Sequence, residues 1–399
     1  MKKQIEICPH EFCTGCETCR EICPVQCIHM FTDEDGFSYP VIGSECIGCG
    51  LCRDRCPVNQ EVPDLSSLVD QQAFCGVHKD HLVWQDSSSG GAASAIYQAW
   101  ADPKAVFYGV ENIREEVSFV RISVFEELYR IRGSKYVQAK INNSFTMIRN
   151  DLRRGIKVVF VGTPCQVAGL KSFLHGIDSS NLLLVDLICH GVGSPSLFEQ
   201  YLDDLEQSMN EPIIDYRFRR KRISFARHLI HNSVIVNQNN RTRQLGMDLY
   251  NKVFLKKISC RKSCYDCRYA KNVRMGDITI SDFKKLFEVF PRFPANQNAS
   301  TLVFNNEKGL SVLKCLENYM HLRVCKIEDI VEHNPPFTHC SGDRRVRDSF
   351  FSDYNNARSA GERLKIMKQY AGKSTMRSFF ASWVPDKARA SIKRLLGVI

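Results

Sequence analysis

Nineteen cysteines stand in a chain of 399 residues, and their spacing carries the first chemistry. Cys13, Cys16, Cys19 and Cys23 run C-x2-C-x2-C-x3-C, followed by Pro24; Cys46, Cys49, Cys52 and Cys56 repeat the run, followed by Pro57. Three thiolates two residues apart on a tight loop can wrap three irons of one cubane, and the proline then turns the chain so that the fourth thiolate serves a neighbouring cluster. The spacing therefore assigns Cys13, Cys16, Cys19 and Cys56 to one 4Fe–4S cluster and Cys46, Cys49, Cys52 and Cys23 to a second. A zinc site takes its cysteines in pairs and leaves two full runs with prolines unexplained. Gly15, Gly48 and Gly50 let the backbone pass close to the inorganic sulfurs. Cys8, Cys27 and Cys75 fall outside the pattern and read as small buried apolar residues.

This is the signature of the bacterial two-cluster ferredoxins, and it predicts a ferredoxin-like domain over residues 1–65. Such thiolates must stay reduced, so the expected setting is the cytoplasm. The first twelve residues hold no apolar stretch of a secretory signal, and no run approaches the roughly 18 apolar residues of a spanning helix.

A second group of cysteines lies farther on: Cys165, Cys189, Cys260, Cys264 and Cys267. Cys165 follows Thr163, which suits a helix N-cap, and Pro164, which suits the first helical position; the helix dipole there favours a thiolate. Cys189 directly follows the next strand. Two cysteines at the carboxyl ends of successive parallel strands can converge on one crevice, and the Cys264-x2-Cys267 pair can add two thiolates. Such a set suits a third 4Fe–4S cluster or a structural zinc; packed thiols are the plainer alternative. Cys260 is one cysteine too many.

Two segments could meet a phosphate or a ring. Ser88, Ser89, Gly90 and Gly91 precede a helix, where small residues and free amides make an anion cradle. Gly133, Ser134, Lys135 and Tyr136 offer a turn, a cation and an aromatic face. Each is also an ordinary loop signal, and no G-x-G-x-x-G fingerprint supports an ordinary dinucleotide site.

The elements that must position these residues follow from periodicity. Residues 61–74 read as a polar linker. Ala105–Val110 and Val117–Ser123 read as strands, and Gly91–Ala101 as a helix. Lys157–Val161 and Asn181–Ile188 are buried strands, Gln166–Leu174 and Ser196–Gln207 helices. This β-α-β-α order predicts parallel strands with right-handed crossovers, turning antiparallel after Ile213, with a last α/β stretch at Thr301–Phe304 and Glu307–Met320. The expected fold class is α+β: the ferredoxin-like domain, a larger α/β domain over 75–345 (75–155 and 156–345), and a basic, helical tail over 346–399.

Charge sharpens that last boundary. The net charge is +10, and from Gly342 to Ile399 there are 13 Lys/Arg against 5 Asp/Glu. Trp383, Ile392, Leu395, Leu396 and Ile399 lie among Lys387, Arg389, Lys393 and Arg394. Such a segment can rest on the inner face of a membrane, dock a partner, or cover a core edge as a solvated helix. No nucleic-acid motif accompanies the basic runs, so no nucleic acid is expected.

Arg132–Gln138 and Gly162–Leu170 (Gly-Thr-Pro-Cys-Gln-Val-Ala-Gly-Leu) resemble the coenzyme F-420 hydrogenase/dehydrogenase beta-subunit family, as do Asp186–Gly191 and Ser263–Cys267. With the cysteine module the likeness covers residues 1 to about 340. The resemblance implies FAD and a further 4Fe–4S cluster held by Cys165, Cys189, Cys264 and Cys267, leaving Cys260 out, and it sets Ser88–Gly91 and Gly133–Tyr136 near the flavin. One departure stands out: Ser281 and Lys284 replace the family's glycine and tryptophan after Gly276-Asp277, on the substrate side.

The function expected from residues and resemblance together is an iron–sulfur flavoprotein oxidoreductase. It would exchange electrons between the clusters, FAD and an organic substrate or deazaflavin-type coenzyme, with an electron-carrying protein or reduced coenzyme as partner. Lys135 and His190 are the candidate proton donors or anion contacts. A cluster-bearing adaptor with no substrate of its own is the rival; a zinc-stabilised scaffold is a third reading.

Overall fold

A computed structural model describes residues 6–62, 71–102, 104–223, 229–245, 248–284, 286–294, 296–340 and 342–372. The N-terminal module is built around a hairpin of β1 (Ile28–Thr32) and β2 (Ser38–Ile42). Asp33 closes its tip by accepting from the Phe37 amide at 2.8 Å. Gly36 has φ +80°, and a Cβ there would meet Ser194 and Ser196 at 2.5 Å, so the turn needs glycine twice over. Short helices Thr18–Ile22 and Leu51–Asp54 carry Cys19 and Cys52. Each starts from a left-handed residue, Glu17 and Gly50. Glu17 is held in that unusual conformation by its buried carboxylate, which accepts from the Ile141 amide and pairs with Arg20 at 2.9 Å.

The larger part is organised by an eight-stranded sheet. Its strands are β3 (Gln72–His78), β4 (Val106–Ile113), β5 (Glu116–Ile122), β6 (Val158–Gly162), β7 (Leu182–Leu187), β11 (Ile278–Asp282), β12 (Ser300–Phe304) and β13 (Met320–Cys325), in the order β13-β3-β12-β11-β7-β6-β4-β5. Only β4–β6, β6–β7 and β7–β11 pair in parallel. The expected parallel sheet is thus a parallel centre with antiparallel flanks. A continuous apolar run such as β12, buried throughout, reports burial on both faces and not strand direction.

Side-chain alternation along β6 divides the core. Val158 and Phe160 face helices Ser144–Arg153, Pro164–Phe173 and Pro195–Met209, while Val159 faces helix Ala92–Trp100. Thr163 and Gln166 form a capping box on helix Pro164–Phe173, with Pro164 at its first position, as the sequence predicts. A smaller antiparallel sheet of β8 (Ile213–Ile223), β9 (Leu229–Asn237) and β10 (Thr242–Leu245) follows. Two segments differ from expectation: strand β3 begins within the expected linker, and residues 307–320 form two short helices before β13 instead of one.

The boundary at residue 346 falls inside helix Arg344–Asn355. That helix and Ala360–Ala371 join the main core through Phe350, Phe351, Tyr354 and Met367. Net charge hid this, because Arg347 is itself buried, donating to the Asp35 carboxylate at 2.7 Å and the Cys260 carbonyl at 2.9 Å. The amphipathic segment from Trp383 to Ile399 lies outside the described residues. Among the described residues no helix is long and apolar enough to cross a membrane.

Candidate functional site

Three cavities lie in contact, and the cysteines singled out by spacing line two of them. The first is ringed by Cys13, Cys16, Cys19 and Cys56, drawn from both N-terminal runs. The Cys8 thiol also reaches it, bonded to Cys13 and Cys56. Donation from Cys8 and the neighbouring Arg261 guanidinium hold the Cys13 thiol down to about 5 against the opposing effect of burial. Burial pushes Cys16 up to about 11. Cys23, Cys46, Cys49 and Cys52 gather at the module's outer end, where Cys49 is exposed and Cys46 half-buried. Cys27 lies among them, its sulfur 3.6 Å from that of Cys23. Cys27, buried, and Cys8, only half-buried, are therefore neighbours of the two thiol sets, a placement their spacing does not announce.

The second cavity is lined by Cys165, Cys189, Cys264 and Cys267, and by Cys340. Cys165 sits at the helix N-terminus, 3.2 Å from the Thr163 hydroxyl, and the Gly191 amide donates to Cys189 at 3.4 Å. Burial pushes all four thiols upward. Cys260 does not line this cavity. It packs beneath Gly191, where a Cβ would stand 2.7 Å from its sulfur. Cys340, whose thiol donates to the Tyr265 carbonyl at 2.8 Å, is the member that sequence reasoning missed; it stands alone in the chain and carries no spacing signal.

Among the described residues, no three carboxylate, imidazole or thiol groups converge on a single-ion position. A structural zinc would draw its thiolates to about 2.3 Å from one point. Here Cys13, Cys16, Cys19 and Cys56 surround one void, and Cys165, Cys189, Cys264 and Cys267 line another.

The cavities touch. Thr14 lines both the first and the second. Gly169 brings helix Pro164–Phe173 against the first set, since a Cβ there would stand 3.2 Å from the Cys16 sulfur. Cys189, His190, Gly191 and Val192 line both the second cavity and a third, of about 660 Å³. That large cavity opens beyond the carboxyl ends of β6, β7 and β11, where ligands of open α/β sheets bind. Its volume falls in the ordinary range for organic ligands, roughly 300–1,000 Å³.

Ser88, Ser89, Gly91, Gly133, Ser134, Lys135 and Tyr136 all line the large cavity. The two segments are joined directly, the Ser134 amide donating to the Ser88 hydroxyl at 2.7 Å. Gly90 does not line it; a Cβ there would meet the Gly76 carbonyl at 2.1 Å, so this glycine serves close packing on β3. The Tyr136 ring stacks on Phe254 at 4.7 Å.

Cations crowd the wall. Lys135 donates to the Arg132 carbonyl at 2.8 Å, and burial pushes its ammonium down to about 7. His190 is held down to about 4 by burial and by the nearby Lys257 and Lys284, so it is a neutral imidazole at neutral pH. Arg219 pairs with Asp282, which Lys284 approaches at 3.7 Å. Ser281 and Lys284, the two departures from the family pattern, both face the cavity. Lys221 stands behind the serine loop, bonded to the Trp84 and Ser89 carbonyls, with its ammonium 4.1 Å over the Trp84 ring. Arg219, Lys221, His231 and Asp282 were not legible in sequence as site residues.

Two family models match the chain. Residues 12–60 match the 4Fe-4S dicluster domain, and residues 155–330 match the C terminus of the beta subunit of coenzyme F420 hydrogenase/dehydrogenase. The chain thus carries the C-terminal domain of the F420 hydrogenase/dehydrogenase beta-subunit family together with an N-terminal 4Fe–4S dicluster domain. Beta-subunit proteins of this family are iron–sulfur electron-transfer proteins of oxidoreductases, and the dicluster domain brings two 4Fe–4S clusters. No curated protein matches the chain. Among solved structures, a chain of the xenon-derivatised F420-reducing NiFe hydrogenase complex from Methanosarcina barkeri aligns at 12% identity. The alignment covers 72% of this chain and 93% of that one, with a TM-score of 0.44.

Proposed function

We propose that this protein is an oxidoreductase that exchanges electrons between its 4Fe–4S clusters, FAD and an organic substrate. The observation that carries the reading is the contact between the three cavities. Thr14 is common to the first two, and residues 189–192 are common to the second and the large one. Sites walled by the same residues lie close enough to serve one relay.

Cys13, Cys16, Cys19 and Cys56 would hold the first cluster, Cys46, Cys49, Cys52 and Cys23 the second, and Cys165, Cys189, Cys264 and Cys267 a third. The voids lined by the first and third sets support the fit there, and the second set rests on its spacing and on the match to the dicluster domain. Ser88, Ser89, Gly91 and the Gly133–Tyr136 turn would hold FAD, with backbone amides meeting its phosphates. When bound, the flavin supplies exchange of an electron pair as hydride.

The chain's own groups supply the rest. His190, neutral and aimed into the large cavity, can hold a hydrogen bond to a ring atom without adding charge. Lys135 is the candidate proton donor, because burial brings its ammonium near neutrality. Lys284 and Arg219 leave the wall near His190 electropositive, which suits an anionic substrate; a deazaflavin-type coenzyme is one such molecule. Electrons would cross to a carrier protein at the outer loop, where Cys49 is exposed beside Ile47, 64% exposed.

The test is anaerobic purification with iron, sulfide, zinc and flavin measured on one sample. About twelve irons and one FAD per chain support the proposal. About eight irons without flavin would reduce the chain to a cluster-bearing adaptor, and zinc in place of iron would overturn it.

A further inference from the structure

Arg261 is fully buried, 0% exposed, at the seam between the N-terminal module and the larger part. Its Nε donates to the Cys13 carbonyl at 2.7 Å and one Nη to Gln138 at 3.0 Å. The other Nη donates to the Ser38 carbonyl at 3.0 Å and reaches the Cys13 sulfur at 3.6 Å. The guanidinium lies 4.0 Å over the Tyr39 ring. Among the described residues no carboxylate pairs with it. A buried cation without a counter-charge is strongly unfavourable, so the seam is built for an anion that these residues do not themselves supply. A cubane held by four thiolates is a net anion, and it gains one further negative charge when reduced.

We infer that Arg261 sets the reduction potential of the first cluster, acting through Cys13 as its counter-cation and sulfur hydrogen-bond donor. Hydrogen bonds to ligand sulfur and local charge are the protein's means of tuning such potentials. A guanidinium stabilises the reduced cluster more than the oxidised one, so it moves the midpoint to more positive values. Gly15 belongs to the same device. A Cβ at that position, φ +66°, would strike Gln138 at 2.2 Å and Arg261 at 2.9 Å, so only glycine lets the cluster loop close over the guanidinium. The inference rests on the proposed ligand set of the first cluster and is independent of the flavin and the substrate.

The experiment is an anaerobic redox titration with dithionite, followed by electron paramagnetic resonance, on the full chain. Iron analysis of the wild type comes first and checks the ligand reading separately. In Arg261→Gln the midpoint of one cluster should become more negative, with the reduction equilibrium falling at least about tenfold, or about 59 mV for one electron. The other clusters should hold their midpoints. Arg261→Lys keeps the charge but not the fork, so its shift should be smaller. Arg347→Gln is the control for a merely structural role: that side chain is buried in the same seam, bonded to Asp35 and the Cys260 carbonyl, and it donates to no proposed ligand. It should leave every midpoint in place. An unshifted potential in Arg261→Gln, or an equal shift in Arg347→Gln, overturns the inference. Loss of the first cluster's iron in both Arg261 variants makes Arg261 a structural clasp, and overturns it as well.

Discussion

Lys135 puts an ammonium that is costly to bury at the wall of the large cavity. Its folded pKa lies near 7, below the ordinary lysine value, so between those two values the unfolded chain binds more protons. Folding stability therefore rises with pH from about 7 to about 10 on account of this group. Flavin-free Lys135→Met should lack that rise, which thermal melts at pH 7.5 and 9.5 will show. With the flavin bound, the same substitution should lower turnover by roughly 10²–10⁴-fold and remove the fall in rate above about pH 7, if Lys135 is the proton donor. The cysteines of the second cavity divide by placement. Cys264→Ser should lose about four irons and keep about eight, whereas Cys260→Ser, which alters a sulfur outside the cavity wall, should keep all of them. Iron analysis on both variants decides it.

The Ser87–Gly91 segment holds its shape through what stands behind it. Lys221 reaches from β8 to the Trp84 and Ser89 carbonyls, and Asn298 donates to the Ser88 carbonyl at 3.2 Å. Lys221→Met removes charge-assisted bonds worth roughly 1.5–3 kcal/mol each before relaxation. The flavin dissociation constant should rise by at least about tenfold, read by fluorescence of released flavin. Unchanged affinity would mean that Asn298 and the packing of Gly90 on β3 hold the loop without Lys221. The helix Pro164–Phe173 shows the same division of labour: its capping box fixes where it starts, and Gly169 fixes how near the first thiol set it comes.

The molecule as a whole joins its two parts through three arginines, of which Arg261 and Arg347 are buried. Arg347, 1% exposed, pairs with Asp35 of the hairpin turn; Arg261 binds the Cys13 loop; Arg268 bonds to the Val58 and Gln60 carbonyls. Asp35→Ala leaves the Arg347 charge buried with only the exposed Asp348 beside it, and should cost about 3 kcal/mol of stability, seen as a lower midpoint in chemical denaturation. Because the same seam joins the first two cavities, that variant should also slow electron transfer from the module to the larger part, while the midpoint potentials stay where they are.

Spacing by itself singled out the eight N-terminal cysteines proposed as ligands, because a cubane imposes its geometry on a short stretch of chain and the chain must answer locally. The capped helix start at Thr163-Pro164 was legible for the same reason. The local pattern did not reach strand direction: β12 reads as any buried strand, and its antiparallel pairing with β3 and β11 comes from connections far apart in sequence. Nor could it reach Cys340, Arg219, Lys221, Asp282 or Arg261, whose partners lie far away in sequence and come near only when the chain folds. The basic composition after Gly342 suggested a tail, where tertiary packing instead buries Arg347 against a carboxylate from residue 35. Charge counts sum over a segment, but burial is decided by the partner across the core, and only the folded chain brings that partner near.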